Sequence, residues 1–284
     1  MYCTVPNMKT KAKVKIVAIV GPTAVGKSNY AVKYALKNNG EIISADSRQV
    51  YRGLNLGTGK ITKKEMQGVK HHLLDVADPK QQFNVEKYKK LAEKAILGIT
   101  KRRKLPIICG GTGFYIDVVV NNISYSNVKK NLKLRKKLAD QSPVELFEIL
   151  KKLDNKFAIS LNNSEKNNRH RLIRFIEMAK ALGHVPKIKK AESLYDVKWI
   201  KLELPKEKLI KRINSRLKSR IKSGMIKEVG NLHRNGLSWK RMEELGLEYR
   251  YISRYLRKLI SKEEMIKKLQ TEIWRYAKRQ MGWF

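Results

Sequence analysis

The amino-acid sequence predicts an α/β fold in which a parallel sheet core carries a helical insertion, and three observations point to it. Val14, Ile16, Val17, Ala18, Ile19 and Val20 form a continuous apolar, β-branched run, as a strand buried on both faces requires. Further short apolar runs alternate with helically spaced segments, each strand ending in a polar or glycine-rich loop. From about Asn121 the texture changes to helical spacing rich in lysine and arginine, and sheet-like sequence returns only near Val197.

The first run breaks into Gly21-Pro22-Thr23-Ala24-Val25-Gly26-Lys27-Ser28. This is the G-x-x-x-x-G-K-S pattern of a P-loop, and the segment after it, NYAVKYALKNNG, reads as a helix closed at Asn38-Asn39-Gly40. Gly21 and Gly26 let the backbone curl so that its N–H groups point inward. The helix N-terminus and Lys27 add positive charge, and the Ser28 hydroxyl can hold Mg²⁺. The expected core is therefore a P-loop kinase-like parallel sheet. Which phosphate chain it holds stays open, because a kinase, an NTPase and a transferase that expels diphosphate would all use such a loop.

Glu41 to Asp46 read as a second strand ending on a carboxylate, His71 to Val76 as a third, Phe83 to Ile99 as a helix, and Leu105 to Cys109 as a buried strand. In open α/β sheets the carboxyl ends of strands line the ligand crevice, so Asp46 and the glycine-rich Gly110-Gly111-Thr112-Gly113 are expected beside the P-loop. Between residues 129 and 193 no strand-like run is evident, and Leu132, Leu138, Leu146, Leu150 and Leu153 carry helical spacing. Residues 197–204 restore the sheet. The domain organisation is then a catalytic core of residues 1–120 and 195–284 with a helical insertion of residues 121–194.

Sixty-three lysines and arginines face 25 acidic residues in 284, a formal charge of +38. Such an excess repels itself in a compact monomer unless a polyanion compensates, which makes nucleic acid the leading partner. Cys3 and Cys109 form no disulfide framework and no zinc site, which suits a reducing cytoplasm. No apolar run approaches the roughly 20 residues of a membrane span, and the apolar stretch before Gly21 is too short for a signal peptide.

Four constellations carry chemistry. Asp46 reads as a base or Mg²⁺ partner, or as a helix cap together with Ser47. Gly110, Gly111 and Gly113 bring backbone close to a neighbour and present Thr112. Arg171 and Arg174 sit three apart on one helix face, with Leu172, Phe175 and Ile176 on the other. Arg212, Arg216 and Arg220 recur every four residues along one stripe, either a solvated face or a reach toward a diphosphate. The five histidines show no metal-ligand spacing.

These residues together resemble the tRNA dimethylallyltransferase family. The resemblance lies in GPTAVGKS at 21–28, ISADSRQVYRGLNLGTGK at 43–60, HHLLD at 71–75, ICGGTGFYI at 108–116 and RLIRFIE at 171–177. It continues through RINSRLKSRIKSGMIKEV at 212–229, LEYRYISRYL at 247–256 and YAKRQMGWF at 276–284. It implies transfer of a dimethylallyl group from its diphosphate to the exocyclic amine of the adenosine 3′-adjacent to the anticodon, in tRNAs reading codons that begin with U. The products would be isopentenyladenosine and diphosphate.

By resemblance, Asp46 is the base, Ser28 holds Mg²⁺ or a phosphate oxygen, and Arg216, or else Arg212, is the active-site arginine. Asp46, Ser47, Arg48 and Gln49 lie against the target base, with Thr112 and Arg135 as further tRNA contacts. His170, Arg171, Leu172, Ile173 and Arg174 form one RNA-facing segment, and Tyr249 and Arg250 belong to another. Tyr51, Arg48 and Arg52 offer aromatic and guanidinium planes for stacking on single-stranded bases. The chain departs from the family pattern at Arg220, where methionine is usual, and at Leu247-Glu248, where a glycine is more typical. A cytoplasmic, monomeric enzyme using Mg²⁺, tRNA and dimethylallyl diphosphate is expected. The rival readings are prenyl transfer to free adenine nucleotides, a nucleoside or polynucleotide kinase, and a non-enzymatic RNA-binding protein with a vestigial P-loop.

Overall fold

A computed structural model of the chain describes residues 13–124, 128–186, 189–190 and 192–284. In chain order the elements are β1 (Val14–Val20), α1 (Lys27–Lys37), β2 (Gly40–Ala45), α2 (Lys63–Met66), β3 (His71–His72), α3 (Val85–Lys101), β4 (Leu105–Gly110) and α4 (Gly113–Val120). Then come β5 (Ile123–Ser124), α5 (Leu132–Lys137), α6 (Pro143–Leu153), α7 (Asn155–Ser160), α8 (Asn163–Lys166), α9 (Arg169–Leu182) and β6 (Lys189–Lys190). The chain closes with β7 (Tyr195–Lys201), α10 (Lys206–Lys222), α11 (Met225–Arg234), α12 (Trp239–Leu245), α13 (Leu247–Leu256) and α14 (Lys262–Met281). It divides into two compact units, Met1–Asn122 with Glu192–Phe284, and Ile123–Ala191.

The first unit is built on a parallel five-stranded sheet of order β3-β2-β4-β1-β7, which makes it α/β. β1, β2 and β4 are buried nearly end to end, so apolar and β-branched residues fill both faces. Val17, Ile19, Ile42, Ile107 and Cys109 pack against Ala31, Val32 and Ala35 of α1. β7 is an edge strand, largely exposed and studded with Asp196, Lys198 and Lys201, charges that discourage pairing with another chain. It spans Tyr195–Lys201 rather than the expected 197–204. The third strand is only His71–His72, because Leu73 and Asp75 adopt positive φ and turn the chain out of the sheet.

The helices follow their apolar spacing. α3 buries Tyr88, Ala92, Ile96 and Ile99 and is capped by Asn84, whose side chain accepts from Lys87 N. α10 buries Leu209, Ile213 and Leu217, which leaves Arg212, Arg216 and Arg220 as a parallel stripe beside them. α14 buries Met265, Leu269, Ile273 and Ala277, and extends the same stripe with a polar residue, Gln280.

The second unit is helical, with Leu138, Leu146, Leu150, Ala158, Leu161, Leu172, Ile176, Ala179 and Val185 as its core. It also contains a short antiparallel pairing of β5 with β6, which corrects the expectation that this segment lacks strands. Two-residue strands carry too little alternation to be seen in sequence. Glu177 on α9, its side chain fully buried, accepts from Asn131 N, from Arg135 Nε and Nη2, and from Arg174 Nη1. Burial pushes its carboxyl up, and the Arg135, Asn131 and Arg174 hydrogen bonds outweigh that and hold it below its usual range.

A second buried carboxylate sits in the sheet. Glu41, 2% exposed, meets His72 Nε2 at 2.6 Å, Arg102 at 2.7 Å and Lys104 at 3.4 Å. Burial alone would raise its pKa, but hydrogen bonds from Arg102 and His72 carry it down to about 2. A carboxyl whose folded pKa lies below its ordinary 4.5 stabilises the fold fully above that value and loses the contribution as pH falls toward about 2. Glu41→Gln is therefore expected to cost about 1–3 kcal/mol at neutral pH. It should also flatten the decline in stability between pH 4.5 and 2, as urea titrations at stepped pH will show. An acid limb as steep as in the unmutated protein would contradict this.

Candidate active site

The parallel register decides what meets at the sheet edge. Ile19 of β1, Cys109 of β4 and Ser44 of β2 are at one level, so two residues further along each strand lie Gly21, Gly111 and Asp46. The P-loop, the glycine turn and the carboxylate thus share one edge because three strands end together.

Gly21 and Gly26 both take positive φ, and a Cβ on Gly21 would press into the carbonyl of Leu202, so glycine is required there. Pro22, Ala24 and Val25 are buried, Thr23 is half-buried, and Gly26 caps α1. The first turn of α1 has no acidic residue, which leaves its N-terminal dipole available to an anion. Lys27 Nζ donates to Gly21 O at 2.8 Å and Pro22 O at 2.7 Å, bracing the loop from inside. Burial pushes its pKa down to about 8, partly opposed by Cys109 and Asp46, with Arg216 adding to the depression. Ser28 is exposed and lines a cleft of about 480 Å³ together with Asn55, Leu56, Gly59, Lys60, Arg216 and Arg220.

Within the arginine stripe the three side chains do different things. Arg212 donates to Val25 O at 3.1 Å, behind the P-loop. Arg220 donates to Leu56 O and Gly57 O and pairs with Glu248 at 3.2 Å. Arg216 has no protein hydrogen-bond acceptor among the described residues and faces the cleft. Burial, and then Arg220 beside it, hold its pKa below the usual arginine value.

Asp46 is half-buried, and its Oδ1 accepts from Arg48 N at 2.8 Å and Gln49 N at 3.3 Å. Asp46 therefore caps the turn that follows it, and Oδ2 receives no hydrogen bond among the described residues. Thr112 Oγ1 accepts from Ser47 N at 3.1 Å, so Thr112 pins the Asp46 loop to the glycine turn. Gln49 Nε2 reaches Thr58 O at 3.5 Å. Arg48 is half-buried beside Gly246.

Several residues expected to face RNA serve the interior instead. Tyr51 is 3% exposed, its hydroxyl accepting from Phe83 N and Arg241 Nη2, and it cannot stack on a base. Tyr249 is 1% exposed and its hydroxyl donates to Glu228. Leu172 is wholly buried in the helical unit, with Ile173 half-buried beside it. Arg135 and Arg174 are committed to Glu177, and Arg250 Nε donates to Glu243 O. Arg52, His170 and Arg171 are exposed, with Arg171 on Glu165 at 3.3 Å. Cys3 lies outside the described residues, and Cys109 is a buried free thiol whose pKa burial raises to about 11.

Sequence reasoning missed three residues at this edge: Gln280, Tyr276 and Glu228. Gln280 reaches the glycine turn, and Tyr276 lies beside Thr112. Glu228 accepts from Asn55 N, Leu56 N and Gly57 N, holding the cleft wall by three successive amides. The available signal for Gln280 was its place on the otherwise apolar stripe of α14.

Known proteins are similar to this chain over most of its length. The family model described as IPP transferase matches residues 49–284. A tRNA dimethylallyltransferase of Anoxybacillus flavithermus is 40% identical over 95% of this chain and 87% of its own. The tRNA dimethylallyltransferase 2 of Treponema denticola is 43% identical over 94% of this chain and 90% of its own. The crystal structure of a full-length tRNA isopentenylpyrophosphate transferase from Bacillus halodurans superposes with a TM-score of 0.71 at 36% identity, covering 96% of this chain and 87% of that one. A eukaryotic dimethylallyltransferase acting on tRNA superposes with a TM-score of 0.80 at 27% identity, over 95% of this chain and 69% of that one. The chain therefore belongs to the IPP transferase family, whose members include the tRNA dimethylallyltransferases.

Proposed function

We propose that this protein transfers a dimethylallyl group from dimethylallyl diphosphate to the exocyclic amine of the adenosine directly 3′ of a tRNA anticodon, in tRNAs reading codons that begin with U. The observation that carries this reading is the meeting of a braced phosphate loop with one carboxylate, Asp46, that has one oxygen tied to the backbone and the other open. The amine nitrogen attacks the allylic carbon, the carbon–oxygen bond breaks, and its electron pair leaves on the diphosphate. The proton lost by the amine passes to Asp46 Oδ2. An adenine amine is a weak nucleophile because its lone pair is delocalised, so a positioned carboxylate helps at the moment of attack.

Charge accumulates on the departing diphosphate, where the P-loop amides, Lys27 and Arg216 lie. Among the stripe arginines, Arg216 suits this role because Arg212 and Arg220 are already engaged by backbone carbonyls. Among the described residues no cluster of three or more histidine, cysteine or acidic side chains could cage a metal. A hard, neutral hydroxyl at Ser28, facing the cleft, fits Mg²⁺ held chiefly by diphosphate oxygens. When bound, Mg²⁺ would neutralise part of the leaving-group charge.

The target base has to leave the anticodon-loop stack to reach the crevice, with Ser47, Arg48 and Gln49 against it. Residues 121–194 serve as the tRNA-binding insertion, with exposed His170 and Arg171 as its phosphate contacts. The enzyme acts as a cytoplasmic monomer, and no helix among the described residues is long and apolar enough to cross a membrane.

Mass spectrometry of anticodon-loop nucleosides, after incubating tRNA with enzyme and dimethylallyl diphosphate, is expected to show isopentenyladenosine at the position after the anticodon. Prenylation of free AMP instead, or phosphate transfer from ATP without prenylation, would replace this reading with one of its rivals. Asp46→Asn keeps the cap to Arg48 N and Gln49 N but cannot take a proton. It is expected to lower kcat by roughly 10²–10⁴ with tRNA affinity unchanged. Unaltered turnover would remove Asp46 as base.

Lys27 supplies a pH dependence. Its ammonium is the diphosphate-binding form, and in the empty site it deprotonates near pH 8. Donor affinity measured by calorimetry without tRNA is expected to be level below that pH and to weaken above it by at most about tenfold per unit. Lys27→Met should bind weakly at every pH, and a donor affinity that stays level from pH 7 to 10 in the unmutated enzyme would count against the assignment.

A further inference from the structure

The glycine turn after β4 is built to receive the last turns of α14. Gln280 Nε2 donates to Gly111 O at 2.8 Å, and the Trp283 ring covers Gly113, its Nε1 donating to Asp117 Oδ2 at 3.1 Å. A Cβ on Gly111 would collide with the Gln280 amide, and one on Gly113 with the Trp283 indole. Two of the three glycines are thus explained by this docking, and neither needs a ligand to account for it.

Gln280 does one thing more. Its Oε1 accepts from Thr23 N, in the P-loop, at 2.7 Å, while its Nε2 holds the turn that carries Thr112. Gln280 is 6% exposed; its bond to Gly111 O is buried and that from Thr23 N half-buried. A continuous path results. Thr23 is bonded to Gln280, Gln280 to Gly111, Thr112 beside it to Ser47 N, and Asp46 precedes Ser47. The donor loop and the loop of the base are joined by one carboxamide, whose two ends have opposite hydrogen-bonding character, as a backbone N–H and a backbone carbonyl require.

We propose that Gln280 is a positioning residue for group transfer: it fixes the diphosphate loop at a set distance from Asp46, so that leaving group and base act on one substrate geometry. The proposal rests on the reading of the P-loop as the donor diphosphate site. Misplacement by about 1 Å at a reacting centre can cost on the order of 10²-fold in rate. Apolar packing of α14 alone would accept methionine at 280 without loss, because Met265, Leu269, Ile273 and Ala277 already make that stripe apolar.

Gln280→Met is therefore expected to lower kcat by about 10–100-fold and to weaken binding of inorganic diphosphate severalfold. KM for an anticodon stem-loop should stay within about twofold of wild type, with thermal stability within a few degrees. Gln280→Glu keeps an acceptor for Thr23 N–H but loses the donor to Gly111 O, and its kcat is expected to fall between the two. It provides the comparison should the methionine variant fold poorly. Variants as active as wild type would overturn the proposal, as would a loss that follows the melting temperature and lowers all parameters alike. Absence of prenyl transfer by the wild-type enzyme would refute the donor-site reading instead, and equal binding of inorganic diphosphate by wild type and Gln280→Met would then refute the role of Gln280 on its own.

Discussion

The site depends on one constraint, the parallel register that brings β1, β2 and β4 to an end together. Ala45 is paired with Gly110, and a Cβ on Gly110 would run into the Ala45 backbone, so the two strands approach more closely there than any side chain allows. Because the ladder stops at that point, the next residues on each strand turn outward into the same space. A shift of one residue in β2 would exchange Asp46 for Ser47 at the edge and carry the buried Glu41 away from His72 and Arg102. The buried pattern of β2 and β4 therefore fixes the chemistry of the crevice as firmly as it fixes the core.

Charge is deployed unevenly on this frame. A chain of net charge +38 could meet a polyanion almost anywhere, yet many of its arginines are already engaged. Arg135 and Arg174 hold Glu177; Arg102 holds Glu41; Arg250 and Arg254 hold Glu243. Each of those carboxylates is buried or half-buried, and each arginine offsets a desolvation cost. Cations reserved for ligand are better recognised by lack of a protein acceptor than by spacing, and on α10 that criterion separates Arg216 from its two neighbours, which the i, i+4 stripe alone does not.

What could be read from the sequence followed from the range of the interactions involved. The P-loop, Asp46 and the glycine turn are local: strand, turn and helix succeed one another within a few residues, and burial on both faces makes the strands unmistakable. The resemblance puts Leu172 and Tyr249 against RNA, while helical spacing already sets Leu172 on the face away from Arg171 and Arg174; the helical core claims it, Glu228 claims Tyr249, and Phe83, 32 residues on, claims Tyr51. The purpose of Gly111 and Gly113 was hidden because their partners Gln280 and Trp283 stand about 170 residues further on. The β5 and β6 strands are too short to carry a period at all.

Arg220 and Glu248, both at positions where the sequence reads as departing from the resembled pattern, form a pair. Arg220 Nη2 meets Glu248 at 3.2 Å while Nη1 takes the carbonyls of Leu56 and Gly57. Glu228 takes the amides of residues 55–57 from the other side, and the Tyr249 hydroxyl, adjacent to Glu248 in the chain, donates to Glu228. The loop forming one wall of the cleft thus has its donors and acceptors satisfied by side chains of α10, α11 and α13. A methionine at 220 would leave two carbonyls and Glu248 without this cation, so the arginine and the glutamate depend on each other, and replacing either alone strands a half-buried charge. The same pair contributes to the charge beside Arg216. Desolvation weakens its cation most and Arg220 adds to that, while Glu65 and Glu248 oppose both. An arginine without a protein hydrogen-bond acceptor gains more from an anion than one already engaged by carbonyls, and the proposed leaving-group role of Arg216 draws on that difference from Arg212 and Arg220.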